Sequence, residues 1–273
     1  MSKIKETFFG KGCAAALAVF SVILTVVPEE FFKCGIISCE WSESTILMIN
    51  RLIVFLIIYM IANITYYCYR IFRKSVTIDG DTYKIRISYG DICNISKGKK
   101  VINFDECFTT TVGIRPEDVK PDSVCGQYLT KYPMDDIQNL LNDTGIRSRS
   151  NSLYKNKSSY TPGTLVPRGD FLLMAFAKLD GKGRGNLRYD EYLAALNKLW
   201  EQVDCYHGTD DVYVPILGSR ITRFDKDLTQ QELLDIMVAS FRLNPYKLKR
   251  PNTLHIVCKE REGFSLNDIF GVD

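Results

Sequence analysis

The sequence predicts an α/β protein: an N-terminal two-helix transmembrane hairpin followed by a three-layer α/β/α domain with a mixed sheet. Three observations carry this. Two long uncharged runs, "CAAALAVFSVILTVV" and "LIVFLIIYMIANITYYCY", lie within the first 74 residues. The second half then alternates buried strand-like runs with amphipathic helix-like ones, the signature of a layered α/β sheet. A hairpin-like pair of alternating runs opens the domain, so the sheet is mixed rather than wholly parallel. The boundaries follow as 1–74 for the hairpin, with spans at about 8–28 and 46–69, and 75–273 for a cytoplasmic domain.

Each apolar run is close to the ~20 residues that cross a bilayer as a helix. The segment "PEEFFKCG" after the first run has no small-x-small cleavage site, which favours a retained anchor over a signal peptide. Lys3, Lys5 and Lys11 precede the first run, and Arg70, Arg73 and Lys74 follow the second. The loop between carries Glu29, Glu30, Glu40 and Glu43 against Lys33. The positive-inside rule places both termini in the cytoplasm of a multi-pass inner-membrane protein. Trp41 and the tyrosines 66, 67 and 69 suit the interfacial belts. Arg51, at one end of the second span, can snorkel to the interface or face a pore. Cys34 and Cys39 in the outer loop can pair or stay as thiols. One hairpin has little room for a transport path, so any pore requires several copies.

In the domain, "VTIDGDTYKIRIS" reads as two strands around Asp79–Gly80. "KKVINF", "DFLLMAFAKL", "DVYVPIL" and "TLHIVC" read as further strands. "MDDIQNLLND", "RYDEYLAALNKLWEQV" and "TQQELLDIMVASFRL" read as helices, the last with a Thr229/Glu232 capping box, and "SLNDIF" as a short terminal helix. The Ser-rich "GIRSRSNSLYKNKSSYTPG" reads as a loop. "LVPRG" reads as a native stretch leading into a strand, with Arg168 either a surface residue or a phosphate contact.

The net charge of +3, without a basic stripe interleaved with aromatics, gives no reason to expect nucleic acid. Nine scattered cysteines and two histidines, with no CxxC pair, do not suggest a metal site. "DGKGRGNLRYDE" imitates a calcium loop, but Lys182 and Arg184 stand where oxygen ligands belong.

Three stretches can meet at one end of the sheet. In Gly90–Asp91–Ile92, a carboxylate is placed to accept from an adenine amino group or a ribose hydroxyl. In "INFDECFTTTVG", polar residues crowd after a strand, either as a site or as a capped surface turn. In "VPILGSRIT", a strand runs into a small-residue loop whose backbone N–H groups can hold a diphosphate outside the strand ends.

Together with "SVCGQYL", "TLVPRGDFLLMAFAKLD" and "YDEYLAALNKLW", these stretches in this order resemble a macro domain, the ADP-ribose-binding α/β/α fold. The preceding hairpin narrows the resemblance to the membrane-anchored effectors of bacterial Thoeris antiphage systems. That resemblance implies that Asp91 and Ile92 hold adenine. It places Asn103, Asp105, Glu106, Thr109 and Thr110 near the distal ribose, and makes Gly218, Ser219, Arg220, Ile221 and Thr222 the diphosphate loop. It implies no catalytic residue, no metal and no cofactor, the ligand being an ADP-ribose derivative. It also implies that a TIR-domain enzyme makes this signal, that histidine-ADP-ribose is its form in this branch, and that binding drives homo-oligomers to disrupt membrane lipid. Arg220 occupies the place of a second loop glycine, and "NFDECFTTT" replaces the asparagine-rich loop of ADP-ribosyl hydrolases. A membrane-tethered hydrolase, with Asp105 or Glu106 activating water, and a passive anchored scaffold are the alternatives.

Overall fold

A computed structural model describes residues 2–33, 42–134, 137–219, 222–225, 227–259 and 264–269, with the backbone alone for residues 2–12. The chain divides into two compact units, residues 1–73 and 74–273.

The first unit holds helices α1 (Ser2–Val26), α2 (Glu29–Lys33) and α3 (Glu43–Phe72). The Ser42 hydroxyl caps α3, accepting from the Thr45 N–H at 3.4 Å. Among the described residues α3 is the one helix long and apolar enough to cross a membrane by length and composition, with a mean hydropathy of 2.3 in its most apolar window. The apolar part of α1, Cys13–Val26, is shorter than a span. Phe20 of α1 meets Phe55 of α3 edge to face, with ring centroids 5.3 Å apart. Arg51 donates to Glu29 Oε1 at 3.1 Å and lies over the Phe32 ring. Its charge is therefore met within the unit, at the end of α3 next to α2. Cys34, Cys39, Glu40 and Trp41 lie outside the described residues.

The second unit is built on a mixed sheet. Its strands are β1 (Ser75–Asp79), β2 (Lys84–Tyr89), β3 (Lys99–Asp105), β6 (Leu165–Arg168), β7 (Phe171–Leu179), β8 (Gly185–Leu187), β9 (Val212–Pro215), β10 (Arg223–Phe224) and β11 (Leu254–Cys258). Their order is β1-β2-β11-β9-β3-β7-β8-β10, with β6 also on β7. The run from β2 to β7 is parallel. β1 joins it antiparallel through the expected hairpin, whose register pairs Asp79 with Lys84.

Strand alternation separates two cores. Leu172, Met174 and Phe176 of β7 face helices α6 (Tyr189–Tyr206) and α7 (Gln230–Leu243). Leu173 and Ala175 face helices α4 (Val124–Lys131) and α5 (Ile137–Asp143). A strand buried on both faces must be apolar at every position, which is why "FLLMAFAKL" shows no alternation in sequence. Each large side chain removed from water here contributes about 1.5–3 kcal/mol. Trp200 of α6 packs edge-on against Phe241 of α7 and donates its indole N–H to Ser240 Oγ at 2.9 Å. The Thr229/Glu232 capping box starts α7 as expected.

Several details differ from the sequence expectations. The Ser-rich loop contains a two-stranded ribbon, β4 (Ser150–Asn151) with β5 (Ser158–Ser159), and buries Tyr154 and Tyr160. "LVPR" is strand β6, turning into β7 at Gly169, whose φ is +58°. Arg168 donates to the Tyr128 hydroxyl at 2.7 Å, so its guanidinium is used in packing. "SLNDIF" forms only a 3-10 turn, Leu266–Asp268. In the calcium-like loop, Asp180 Oδ1 accepts from the Lys182 and Arg184 N–H groups, and Oδ2 from Arg184 Nε. The carboxylate that would lead a calcium loop is engaged by protein donors instead.

Candidate ligand cleft where the sheet parts

β3 and β9 are neighbours for only two residue pairs, Lys99 with Val212 and Lys100 with Tyr213. Beyond these they separate. In the sheet β3 has β7 as its other neighbour, and β9 has β11. Where two neighbouring parallel strands part, a crevice opens outside their carboxyl ends. A cleft of about 740 Å³ lies there, lined by Gly90, Asp91, Ile92, Asn103, Ser123, Gly218, Ser219 and Thr222 among others. A second cavity of about 620 Å³ shares Asn103, Ser123 and Thr222, and adds Asp105, Glu117, Asp118 and Lys120.

The β2 end of the cleft is rigidly held. The Gly90 N–H donates to the Cys258 carbonyl at 2.9 Å, tying β2 to β11 at its last residue. Asp91 caps the 3-10 turn Ile92–Asn94, with Oδ1 accepting from the Cys93 N–H at 3.0 Å. Ile92 is buried beneath it.

The loop after β9 needs its glycine. Gly218 has φ +81°, the left-handed region, and a Cβ there would lie 2.5 Å from the Phe224 ring. The loop is anchored from below: Leu217 donates its N–H to Met237 Sδ and accepts from the Tyr192 hydroxyl, both at 3.4 Å. Ser219 and Thr222 line the cleft. Arg220 and Ile221 lie outside the described residues.

The end of β3 sorts its two carboxylates. The β3–β7 register shifts between Phe104 and Asp105, a bulge that re-aims the side chains after it. Asp105 lines the second cavity. Its Oδ1 accepts from the Cys107 N–H at 2.8 Å and the Thr109 N–H at 3.2 Å. Burial pushes its carboxyl above the ordinary aspartate range, while hydrogen bonds from Thr109 and Cys107 oppose the shift. Glu106 faces away from the cleft. Its Oε1 accepts from Ser152 Oγ at 2.6 Å and the Leu179 N–H at 3.0 Å, and it lines a separate cavity with Arg149, Lys178 and Lys198. Thr109 and Thr110 line neither the cleft nor the adjoining cavity. The turn that carries them closes on Phe108, which has φ +51° and is held between the Phe104 and Tyr160 rings.

Of the sequence-expected residues, the fold therefore brings together Asp91, Ile92, Asn103, Asp105, Gly218, Ser219 and Thr222. Sequence reasoning missed the α4 contribution: Ser123 caps that helix, accepting from the Gly126 N–H at 3.0 Å, and Ser123 and Val124 line the cleft. An N-cap serine before a helix-like run was the available signal. Gln230 and Lys259, which also line the cleft, gave none.

A family profile described as "Thoeris protein ThsA, Macro domain" matches residues 85–259. The chain is 28% identical over 233 residues to Thoeris protein ThsA of Bacillus amyloliquefaciens (strain Y2), covering 80% of this chain and 77% of that protein. Among solved structures, the Oceanobacillus iheyensis macrodomain with ADP aligns with a TM-score of 0.45 at 10% identity, covering 68% of this chain and 89% of that one. A mutant form of the same macrodomain aligns with a TM-score of 0.45 at 10% identity, covering 69% of this chain and 91% of that one. The profile runs from β2 to just beyond β11, the strands whose carboxyl ends frame the cleft, and the chain belongs to the Thoeris ThsA macro-domain family.

Proposed function

We propose that this chain is a Thoeris antiphage effector whose cleft binds an ADP-ribose-derived signal, and whose N-terminal helices carry the response to a membrane. The observation that supports it best is the cleft at the parting of β3 and β9, with Asp91 at one end, Gly218 at the middle and Asn103 and Asp105 at the other. Asp91 Oδ1 accepts an internal N–H, so Oδ2 is the oxygen to receive an adenine amino group over buried Ile92. The N–H groups from Gly218 to Thr222 take the diphosphate, and the α4 N-terminus adds its favourable potential to the same anion. Asn103 and Asp105 bind the distal ribose, and the adjoining cavity takes the group beyond it. Thr109 steadies Asp105 by donating its N–H to Oδ1, while Glu106 serves the fold on the other side through Ser152 and Leu179.

The family resemblance supports histidine-ADP-ribose as the signal, a TIR-domain enzyme as its source, and ligand-driven homo-oligomerisation with membrane disruption as the output. α3 supplies one apolar helix of spanning length, and a multi-pass arrangement with cytoplasmic termini requires α1 to complete the hairpin. Calorimetry on the detergent-purified chain should show saturable binding of ADP-ribose or its amino-acid conjugates; no heat from any of them rejects the sensor. Mass measurement should then show a higher oligomer at saturating ligand, and an unchanged mass rejects that step. Asp105 is the carboxylate that a hydrolase would use. Ligand turnover that Asp105→Asn abolishes would replace a sensor with an enzyme.

A further inference from the structure

Two aliphatic side chains stand almost wholly in water on neighbouring loops. Ile114, after β3, is 92% exposed, and Leu153, at the tip of the β4–β5 ribbon, is 82% exposed. The loops are adjacent because both reach the same turn: a Cβ on Gly183 would meet Glu117 at 2.6 Å and the Tyr154 ring at 3.0 Å. Cations surround the pair. Lys155 and Lys157 lie over the Tyr154 ring, at 4.9 and 5.4 Å, and Lys155 feels the charges of Glu117 and Arg115. Around these two side chains Arg115, Lys120, Lys155 and Lys157 stand against Glu117 and Asp118, a net positive rim.

The chain enters the domain at this same end. Ser75 pairs with Ser88 near the last residue of β2, and the Tyr89 N–H donates to the Lys74 carbonyl at 3.1 Å. The segment leaving α3 therefore joins the sheet at its carboxyl-end rim, where the cleft also opens. From β1 to β7 there are five strand spacings in the order of the sheet, roughly 24 Å at ~4.8 Å each.

We propose that Ile114 and Leu153, with Arg115, Lys155 and Lys157, dock on an anionic bilayer surface as a second attachment beside the α3 tether. The occupant is a bilayer because the tether keeps one within reach of this end, and because an apolar tip inside a cationic rim matches an acyl boundary under anionic headgroups. The loop bearing Ile114 continues into Pro116–Lys120, which line the second cavity, so docking and the distal end of the ligand site share one segment. This rests on the membrane-tethered reading of α3.

The test uses the full chain in nanodiscs. Leu153→Trp adds an indole at an exposed position, where folding is not at stake, to a chain whose tryptophans are Trp41 and Trp200. In nanodiscs of brominated phosphatidylglycerol and phosphatidylcholine, the added emission should be quenched, and much less so in brominated phosphatidylcholine alone. Ile114→Asp in that background should relieve the quenching. Unquenched added emission overturns docking while leaving the tether intact. Chain that co-purifies with neither nanodisc overturns the tether and docking together. A blue shift in detergent that grows with protein concentration assigns the patch to a second copy and overturns the bilayer as occupant.

Discussion

Gly218→Ala puts the smallest possible load on the proposed diphosphate loop. The left-handed backbone at φ +81° costs a non-glycine residue about 1–2 kcal/mol. The added Cβ also falls 2.5 and 2.7 Å from two Phe224 ring atoms, which cannot retreat as a flexible chain end can. An overpacked site of this kind costs about 1–3 kcal/mol. The total, about 2–5 kcal/mol, must appear in one of two places. If the loop keeps its shape, the domain of residues 74–273 melts lower by about 2–4 °C per kcal/mol. If the loop yields, an N–H leaves the diphosphate. A hydrogen bond to a charged group is worth about 1.5–3 kcal/mol, so affinity falls by about 10- to 150-fold. Differential scanning calorimetry and titration calorimetry with ADP-ribose, on one preparation, measure both. A variant that melts within about 1 °C of wild type and binds within about twofold would refute the argument that this glycine shapes the loop.

The two carboxylates at the end of β3 should behave in opposite ways. Glu106→Ala leaves the Leu179 N–H and the Ser152 hydroxyl without their buried acceptor and should destabilise by about 2–4 kcal/mol, while ADP-ribose affinity, read by titration calorimetry, stays within about threefold, or ~0.7 kcal/mol. Asp105→Asn keeps an oxygen for the Cys107 and Thr109 N–H groups but removes a carboxylate whose folded pKa is raised by burial. A raised folded pKa means that the native state holds its proton more tightly than the unfolded chain. The wild type therefore loses stability as pH rises through the folded pKa, and the asparagine variant does not. Melting temperatures across a pH series should coincide at acidic pH and diverge in favour of Asp105→Asn above it; a gap independent of pH would contradict the burial argument.

The legibility of each element follows from its physical origin. The hairpin at Asp79–Gly80, helix α6 with its apolar spacing, and the Thr229/Glu232 cap could be read because turn chemistry, periodicity and capping are local. Strands β6, β8 and β10 have four residues or fewer, too short for a period to show. The ribbon β4–β5 sits in a Ser-rich stretch whose burial depends on partners from other elements, such as Glu106 and Gly183. Composition alone could not distinguish it from a solvated loop.

By itself the sequence determined the order of strands and helices, the apolar character of α3, and the polar stretches that could meet at the strand ends. Only the tertiary structure decided which of their side chains share a cleft. Glu106 and Asp105 are neighbours in the chain, yet a bulge at the end of β3 sends them to different cavities. The cleft exists because β9 and β3 part after two residue pairs. Strand order and register are long-range properties, set by which hydrophobic faces pack together, and no local motif encodes them.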